Sequence, residues 1–433
     1  MPPGDAAIVF DPDTYARGVP HDALARLREQ ESLTWVDEPA VGHWPAGPGF
    51  WAVWRYADVR AVLRDPATYS SALGATQIRD SADLGYVRRM MLNMDPPGHH
   101  RLRGLLSRSF TPRAVAGLRD RIDAHARRIV ADAEPDCDFV ALAAELPLLT
   151  LADVLGVPES DRYLLFDWAN RVIGYQDAEY AASDKVPRAG LTPMAARALE
   201  VRPVPDADGR MPDPRTRAGM PDLYAYAHAL AEHKRRHPGG DVMSTLLAQV
   251  DADGGRVSVE EFENLFWLFA VAGNETVRNG VPGGMVALLD RPELWRRLAA
   301  DPALVPAAVE EMLRWWTPVM HFRRTATRDT TLAGRPIAAG QKVVVWFSAA
   351  NRDPRVFADP DTFDVHRPAA EHLAFGHGPH FCLGAALARY QMISIFTALL
   401  GRFAAAEPAG APVRLRSNFQ NGLKRLPVRL TPR

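Results

Sequence analysis

The sequence predicts a mainly α fold with a smaller β portion, and three observations carry that expectation. Beyond Pro97 the apolar residues recur at helical spacing through most of the chain. Two-residue alternation is confined to short stretches at about 50–65, 324–347 and 413–430. The composition, 47% apolar and 24% charged over 433 residues, is that of a folded chain with a sizeable core.

In chain order, FWAVW (50–54) suits a short strand and Tyr56–Asp65 a short helix ended by Pro66. Helices follow at Arg101–Phe110, Ala114–Ala133, Leu146–Leu155 and Asp161–Val172. Residues 176–221 hold seven prolines with many Arg and Asp, and little periodicity. They read as a long surface excursion within a lid region of about 168–225, not as a linker, because no Gly/Ser run occurs. Helical spacing resumes at Leu223–Arg236, Val242–Val250, Val259–Gly280, Gly284–Leu289, Pro292–Ala300 and Val305–Trp316. Strand-like alternation then covers Arg324–Ile337 and Lys342–Phe347. A glycine-rich loop (375–384) leads into a helix Ala385–Leu400, and Val413–Leu430 reads as a β-hairpin. The segment 251–262 starts like a calcium loop, but Arg256 and Phe262 occupy its glycine and glutamate positions, so it reads as a turn. Ser258 and Glu261 form a capping box that starts the next helix. With no internal repeat, the expectation is one domain over 1–433.

Charge and cysteine usage exclude several classes. The 51 basic and 52 acidic side chains leave a net charge of −1, which gives no whole-molecule field for nucleic acid or an anionic membrane but allows a local patch. Only 4 of the basic residues are Lys, a bias that reads as a GC-rich genome. Two cysteines, Cys137 and Cys382, exclude a disulfide framework and a cysteine-rich zinc site. The N-terminus has no signal-peptide pattern. The apolar runs Leu265–Gly273 and Val343–Ala350 are too short for a membrane span, and Ala385–Gly401 carries Arg389 and Gln391. A cytoplasmic protein with no membrane anchor is expected.

FGHGPHFCLG (375–384) is the most unusual segment. Gly376, Gly378 and Gly384 surround Cys382, and a helix starts just after. Helix N-terminal amides favour a thiolate, and glycines let backbone N–H groups approach sulfur closely. The arrangement suits an ionised sulfur bound to a metal. By spacing alone, a free buried cysteine and a site built from His372, His377, His380 and Cys382 both stay open.

The same segment resembles the haem-binding loop of cytochromes P450, F-G-x-G-x-[HR]-x-C-x-G, at every fixed position. The resemblance implies the P450 fold, a helical triangular prism around haem b, with Cys382 as the axial thiolate. It places His380 on a propionate and Phe375 beside the thiolate. Three further segments match in the right order. Glu311 and Arg314 resemble the E-x-x-R helix, and Arg367 in FDVHRP the third member of that structural network. DPPGHHRLR (95–103) resembles D-P-P-x-H-x-x-x-R, making His99 and Arg103 propionate ligands. Arg324 aligns with a further propionate-binding arginine, with Arg323 one residue away as the competing assignment. Ala272-Gly273-Asn274-Glu275-Thr276 matches [AG]-G-x-[DE]-T, so Glu275 and Thr276 would relay protons to bound dioxygen. Each of the three, taken alone, also fits an ordinary solvated or core helix face.

The resemblance implies a monooxygenase that inserts one oxygen atom from O2 into a lipophilic small molecule such as a steroid, terpenoid or polyketide. Such a role would sit in natural product biosynthesis. Family position makes Met90, Met91, Trp168, Phe269, Ala272, Val319, Met320 and Phe419 pocket candidates. Only 51 residues follow Cys382, so electrons are expected from a ferredoxin with its NAD(P)H-dependent reductase. Arg108, Arg113 and Arg389 could dock that acidic partner, and a monomer is expected. C–C coupling, epoxidation, peroxide-driven oxidation and a non-catalytic haem-binding module remain alternatives.

Overall fold

Helices make up about half of the chain, as the periodicity predicts. The computed structural model describes residues 4–41, 44–74, 76–184, 186–250, 254–368 and 371–433. The chain divides into two compact units, each assembled from separated stretches. One holds residues 1–79, 126–143 and 276–433, the other 80–125 and 144–275.

The first unit is organised on a five-stranded sheet in the order Leu33–Val36, Phe50–Val53, Lys342–Trp346, His321–Ala326, Tyr69–Ser70. Only Phe50–Val53 and Lys342–Trp346 run parallel. Alternation sorts the side chains onto two faces. Val53, Ala326, Val343 and Val345 pack with Val59, Val62 and Leu63 of the helix Tyr56–Arg64. Phe50, Ala52, Val344 and Trp346 pack with Ala23, Leu24 and Leu27 of the helix His21–Gln30. Helices Val305–Trp316 and Ala385–Arg402 complete this unit's functional frame.

The expected tail hairpin forms only in part. Val413–Arg414 pairs with Leu423–Arg425, but Pro427–Pro432 lies between Phe403–Pro408 and Asp136–Asp138 in a three-stranded sheet. Leu426, Val428 and Leu430 are thereby buried, which a two-stranded hairpin could not do. Cys137 sits half-buried in that sheet, its thiol pushed up to about 11 by burial and the neighbouring acids.

The second unit is helical. Its core joins Trp168 of the helix Arg162–Ile173, Tyr226 of Pro221–Arg236 and Phe266, with ring centroids 5.4–6.0 Å apart. The proline-rich segment is tied into this core more firmly than a surface excursion would be. Pro193–Glu200 forms a helix capped by Thr192, whose Oγ1 accepts from Ala195 N–H at 3.2 Å. Farther on, Arg202 grips buried Asp167 at 2.6 and 3.1 Å.

One helix, Val259–Leu289, runs through both units and continues past Pro282, where the sequence predicts a break. Pro282 forfeits one backbone hydrogen bond, while Val277, Val281 and Met285 around it are buried. The capping box stands at its start: Ser258 N–H donates to Glu261 at 2.9 Å, and Glu261 N–H to Ser258 Oγ at 3.1 Å. Residues 251–253 of the rejected calcium loop lie outside the described residues.

Candidate active site

Within the first unit the glycine-rich loop is held by backbone geometry. Gly376 and Gly378 both have φ +72°, in the left-handed region that disfavours side chains. A Cβ on Gly378 would lie 2.3 Å from the Leu63 carbonyl oxygen, so the loop presses directly on the helix Tyr56–Arg64. Cys382 N–H donates to Phe375 O at 2.9 Å, which folds the loop back and leaves Cys382 half-buried just before the helix Ala385–Arg402.

The histidines around Cys382 diverge. His372 lies 3.2 Å from Glu310, His377 Nε2 accepts from Arg64 at 2.8 Å, and His380 Nε2 lies 3.2 Å from Ser71 Oγ. Among the described residues no group of three or more His, Cys, Asp or Glu could hold a metal ion. The multi-histidine site therefore has no support here.

Arg389 is not the free docking charge the sequence suggests. It donates to both carboxylate oxygens of Glu310 at 2.5 and 2.9 Å, and its guanidinium covers the Phe375 ring at 4.4 Å. Burial alone would raise the Glu310 carboxyl. Hydrogen bonds from His372 and Arg389 instead hold it down at about 2.

Next to it, fully buried Glu311 accepts from Arg314 Nε and Nη2, both at 2.7 Å, and from Asp364 N–H at 2.9 Å. Arg367 Nε approaches the same carboxylate at 3.3 Å. The remaining guanidinium donors reach the carbonyls of Asn351, Ala358, Asp359, Pro360 and Thr362. The three residues that the family resemblance singled out thus form one satisfied network.

Sheet register separates the two adjacent arginines. Arg323 pairs across from Val344, and its Nη1 donates to Ile78 O at 3.1 Å. Arg324 pairs across from Val343 and lies on the opposite face, together with half-buried Phe322. Phe322 escaped the sequence reading; it stacks on Phe419 with centroids 6.0 Å apart. It shares a face with Arg324 by strand alternation, once the strand is seen to start at His321. Val319, Met320 and Phe419 do come together: Met320 N–H donates to Phe419 O at 2.9 Å, and Val319 bridges Gln420.

In the second unit His99 is buried and Arg103 half-buried, four residues apart on the helix Gly98–Ser107. Met90 and Met91 are buried, and Phe269 stacks on Phe110 at 5.6 Å. Trp168 is fully buried and donates to Asp222 at 2.9 Å. Arg108 and Arg113 are exposed. Along the long helix Glu275 is fully buried, but Ala272 is exposed, and Gly273 and Thr276 are half-buried. That i, i+1, i+4 stripe is a partly exposed, small-residue face on an otherwise buried stretch of helix, and a Cβ on Gly273 would lie 2.8 Å from Leu151 Cδ1.

This donor set fits haem. A thiol stands at a helix N-terminus, no atom lies within 4 Å of where a Gly384 Cβ would be, and histidine and arginine donors suit carboxylates.

A mainly helical fold with such a loop defines the haem-thiolate class of protein. Residues 227–431 match the model of the family described as Cytochrome P450. The chain is 36% identical over 427 residues to a steroid C26-monooxygenase of Rhodococcus jostii, covering 96% of this chain and 83% of the relative. It is 34% identical to linalool 8-monooxygenase of Pseudomonas putida, covering 98% of each. Among solved structures, a Mycobacterium marinum cytochrome P450 in complex with pseudoionone is similar at TM-score 0.81 and 36% identity, covering 94% of each chain. The chain belongs to the cytochrome P450 family; it is a monooxygenase that binds haem b. No helix among the described residues is long and apolar enough to cross a membrane.

Proposed function

We propose that Cys382 supplies the axial thiolate to haem, and that the enzyme oxidises a lipophilic terpenoid or steroid-like molecule with electrons from a ferredoxin and its NAD(P)H-dependent reductase. The observation that carries the reading is the Cys382 loop, with its two left-handed glycines and its folded-back N–H. Haem bound through a thiolate supplies dioxygen activation, the thiolate favouring O–O cleavage.

The chain's own groups have separate tasks. Gly376 and Gly378 aim the loop, and Phe375 covers it beneath Arg389. His99, Arg103, Arg324 and His380 supply donors for the propionate carboxylates. Thr276 offers a hydroxyl on the partly exposed helix stripe, and buried Glu275 beside it can take up and pass a proton. By family position Met90, Met91, Trp168, Phe269 and Ala272 in the second unit, and Val319, Met320 and Phe419, with Phe322 added, in the first, would offer apolar side chains to a lipophilic substrate. Those apolar side chains, and relatives named for steroid and linalool oxidation, support that substrate class.

The test is the carbon monoxide difference spectrum of the reduced protein. A thiolate-type band that Cys382→Ser abolishes is expected, and an imidazole-type band in folded wild-type protein would overturn the assignment. Spin-state titration with steroids, linalool and macrolides then reads the substrate class, and turnover with ferredoxin, reductase and NADPH reads the electron source.

A further inference from the structure

Next to Met320 and Phe419, polar side chains are buried in the core of the first unit. His321 is 1% exposed, and neither ring nitrogen meets a protein partner among the described residues. Ser348 Oγ is likewise buried without a protein hydrogen bond among the described residues. The two residues are joined through Trp346 and Met320. His321 pairs directly with Trp346 across the sheet, with rings 4.7 Å apart, and the Met320 carbonyl accepts from both Phe347 N–H at 2.7 Å and Ser348 N–H at 3.3 Å. The other side of the His321 ring meets the edge of Phe419 at 5.3 Å.

Three hydrogen-bonding atoms left unmet in one buried patch would cost far more than a core tolerates. An ordered water resolves this, since such waters typically make about three bonds to otherwise unsatisfied groups. The chemistry matches. Neutral imidazole offers one donor and one acceptor, and serine offers either. Burial keeps the ring neutral, with its pKa down at about 3.

We propose that His321 and Ser348 hold one ordered water molecule, and that His321, braced by this water, is a positioning residue that sets where Phe419 stands. The part concerning Phe419 rests on the reading of that residue as a wall of the substrate chamber. Met320 N–H donating to Phe419 O ties the backbones together, so the hydrated ring supports the side chain that the backbone pairing delivers.

Two variants test this. His321→Phe keeps a ring of similar size and removes its polar atoms; Ser348→Ala removes one water ligand. A crystal structure of the haem-loaded wild type should place a water within hydrogen-bonding distance of a His321 nitrogen and Ser348 Oγ. A dry pocket overturns the proposal. Each substitution should lower Tm, and the double variant should fall no further than the worse single one, because both lose the same water; additive losses overturn the shared site. The wall is read by two iron-binding probes. Imidazole needs little room and should bind His321→Phe as it binds wild type, whereas 4-phenylimidazole should shift in Kd by about fivefold or more. Equal behaviour of both probes would overturn the positioning role, and absence of any spectral shift with imidazole in the wild type would instead indict the haem-site reading.

Discussion

Glu311 satisfies two arginines at once in a setting with no exposure, so it has no route to solvent when a partner is lost. Removing one member of such a network strands an uncompensated charge at about 3–5 kcal/mol. Glu311→Ala is therefore expected to yield little haem-loaded protein, measured as haem absorbance per unit of folded chain; normal loading would mean that the network is dispensable. The buried ring of His321 makes a different prediction. Its pKa is depressed by burial to about 3, below the ordinary value of 6.5. Between those values the unfolded chain binds a proton that the folded chain refuses. Stability is thus fully present above about pH 6.5 and lost as pH falls towards about 3, by at most about 5 kcal/mol over that window. The urea midpoint of wild type should drop faster than that of His321→Phe below pH 6.5, and parallel curves would remove His321 from the acid sensitivity. Residues such as Cys382, Glu311 and Arg314 were legible because their partners lie nearby in sequence or in a fixed motif. His321 and Phe322 were not, because their roles depend on which strand lies opposite.

Elements were legible where periodicity ran long. Pro292–Ala300 and Val305–Trp316 match their predicted spans, whereas Leu33–Val36, Tyr69–Ser70 and Asp136–Asp138 are too short for alternation to register. The sheet position of Pro427–Pro432 depends on Phe403–Pro408 and Asp136–Asp138, a pairing no local pattern announces. The helix Pro193–Glu200 did carry a local signal, Thr192 followed by Pro193, that the surrounding prolines obscured. The glycine loop is the element whose conformation most tightly restricts its sequence. Alanine at 378 would meet both the left-handed penalty of about 1–2 kcal/mol and a carbonyl 2.3 Å from its Cβ, which belongs to backbone and cannot swing away. Gly378→Ala should displace the loop from the helix Tyr56–Arg64 and weaken the thiolate-type carbon monoxide band more than Gly376→Ala. The Gly376 position shares the same φ, but its nearest contact is at 3.9 Å. Equal bands in the two variants would show that the press against Leu63 does not matter.

For the whole molecule, the division into two units drawn from interleaved stretches could not be foreseen, since no composition shift marks residues 79, 125, 143 or 275. The net charge of −1 was plain from the start, and it constrains how an acidic ferredoxin could be attracted. A near-neutral chain offers no long-range field, so the attraction must come from a local patch acting within the Debye length, about 10 Å at 0.1 M salt. The structure sorts the three candidate arginines. Arg389 is committed to Glu310, whereas Arg108 and Arg113 are exposed in the second unit. The expected result is a KM for ferredoxin that rises severalfold between 50 and 300 mM salt. In the double variant Arg108→Glu, Arg113→Glu, KM should already be raised at low salt and its salt dependence flattened, with the carbon monoxide spectrum unchanged. Rim charges act mainly on encounter, so kcat at saturating ferredoxin should move much less than KM. An unaltered salt dependence in the double variant would place the docking face elsewhere on the chain.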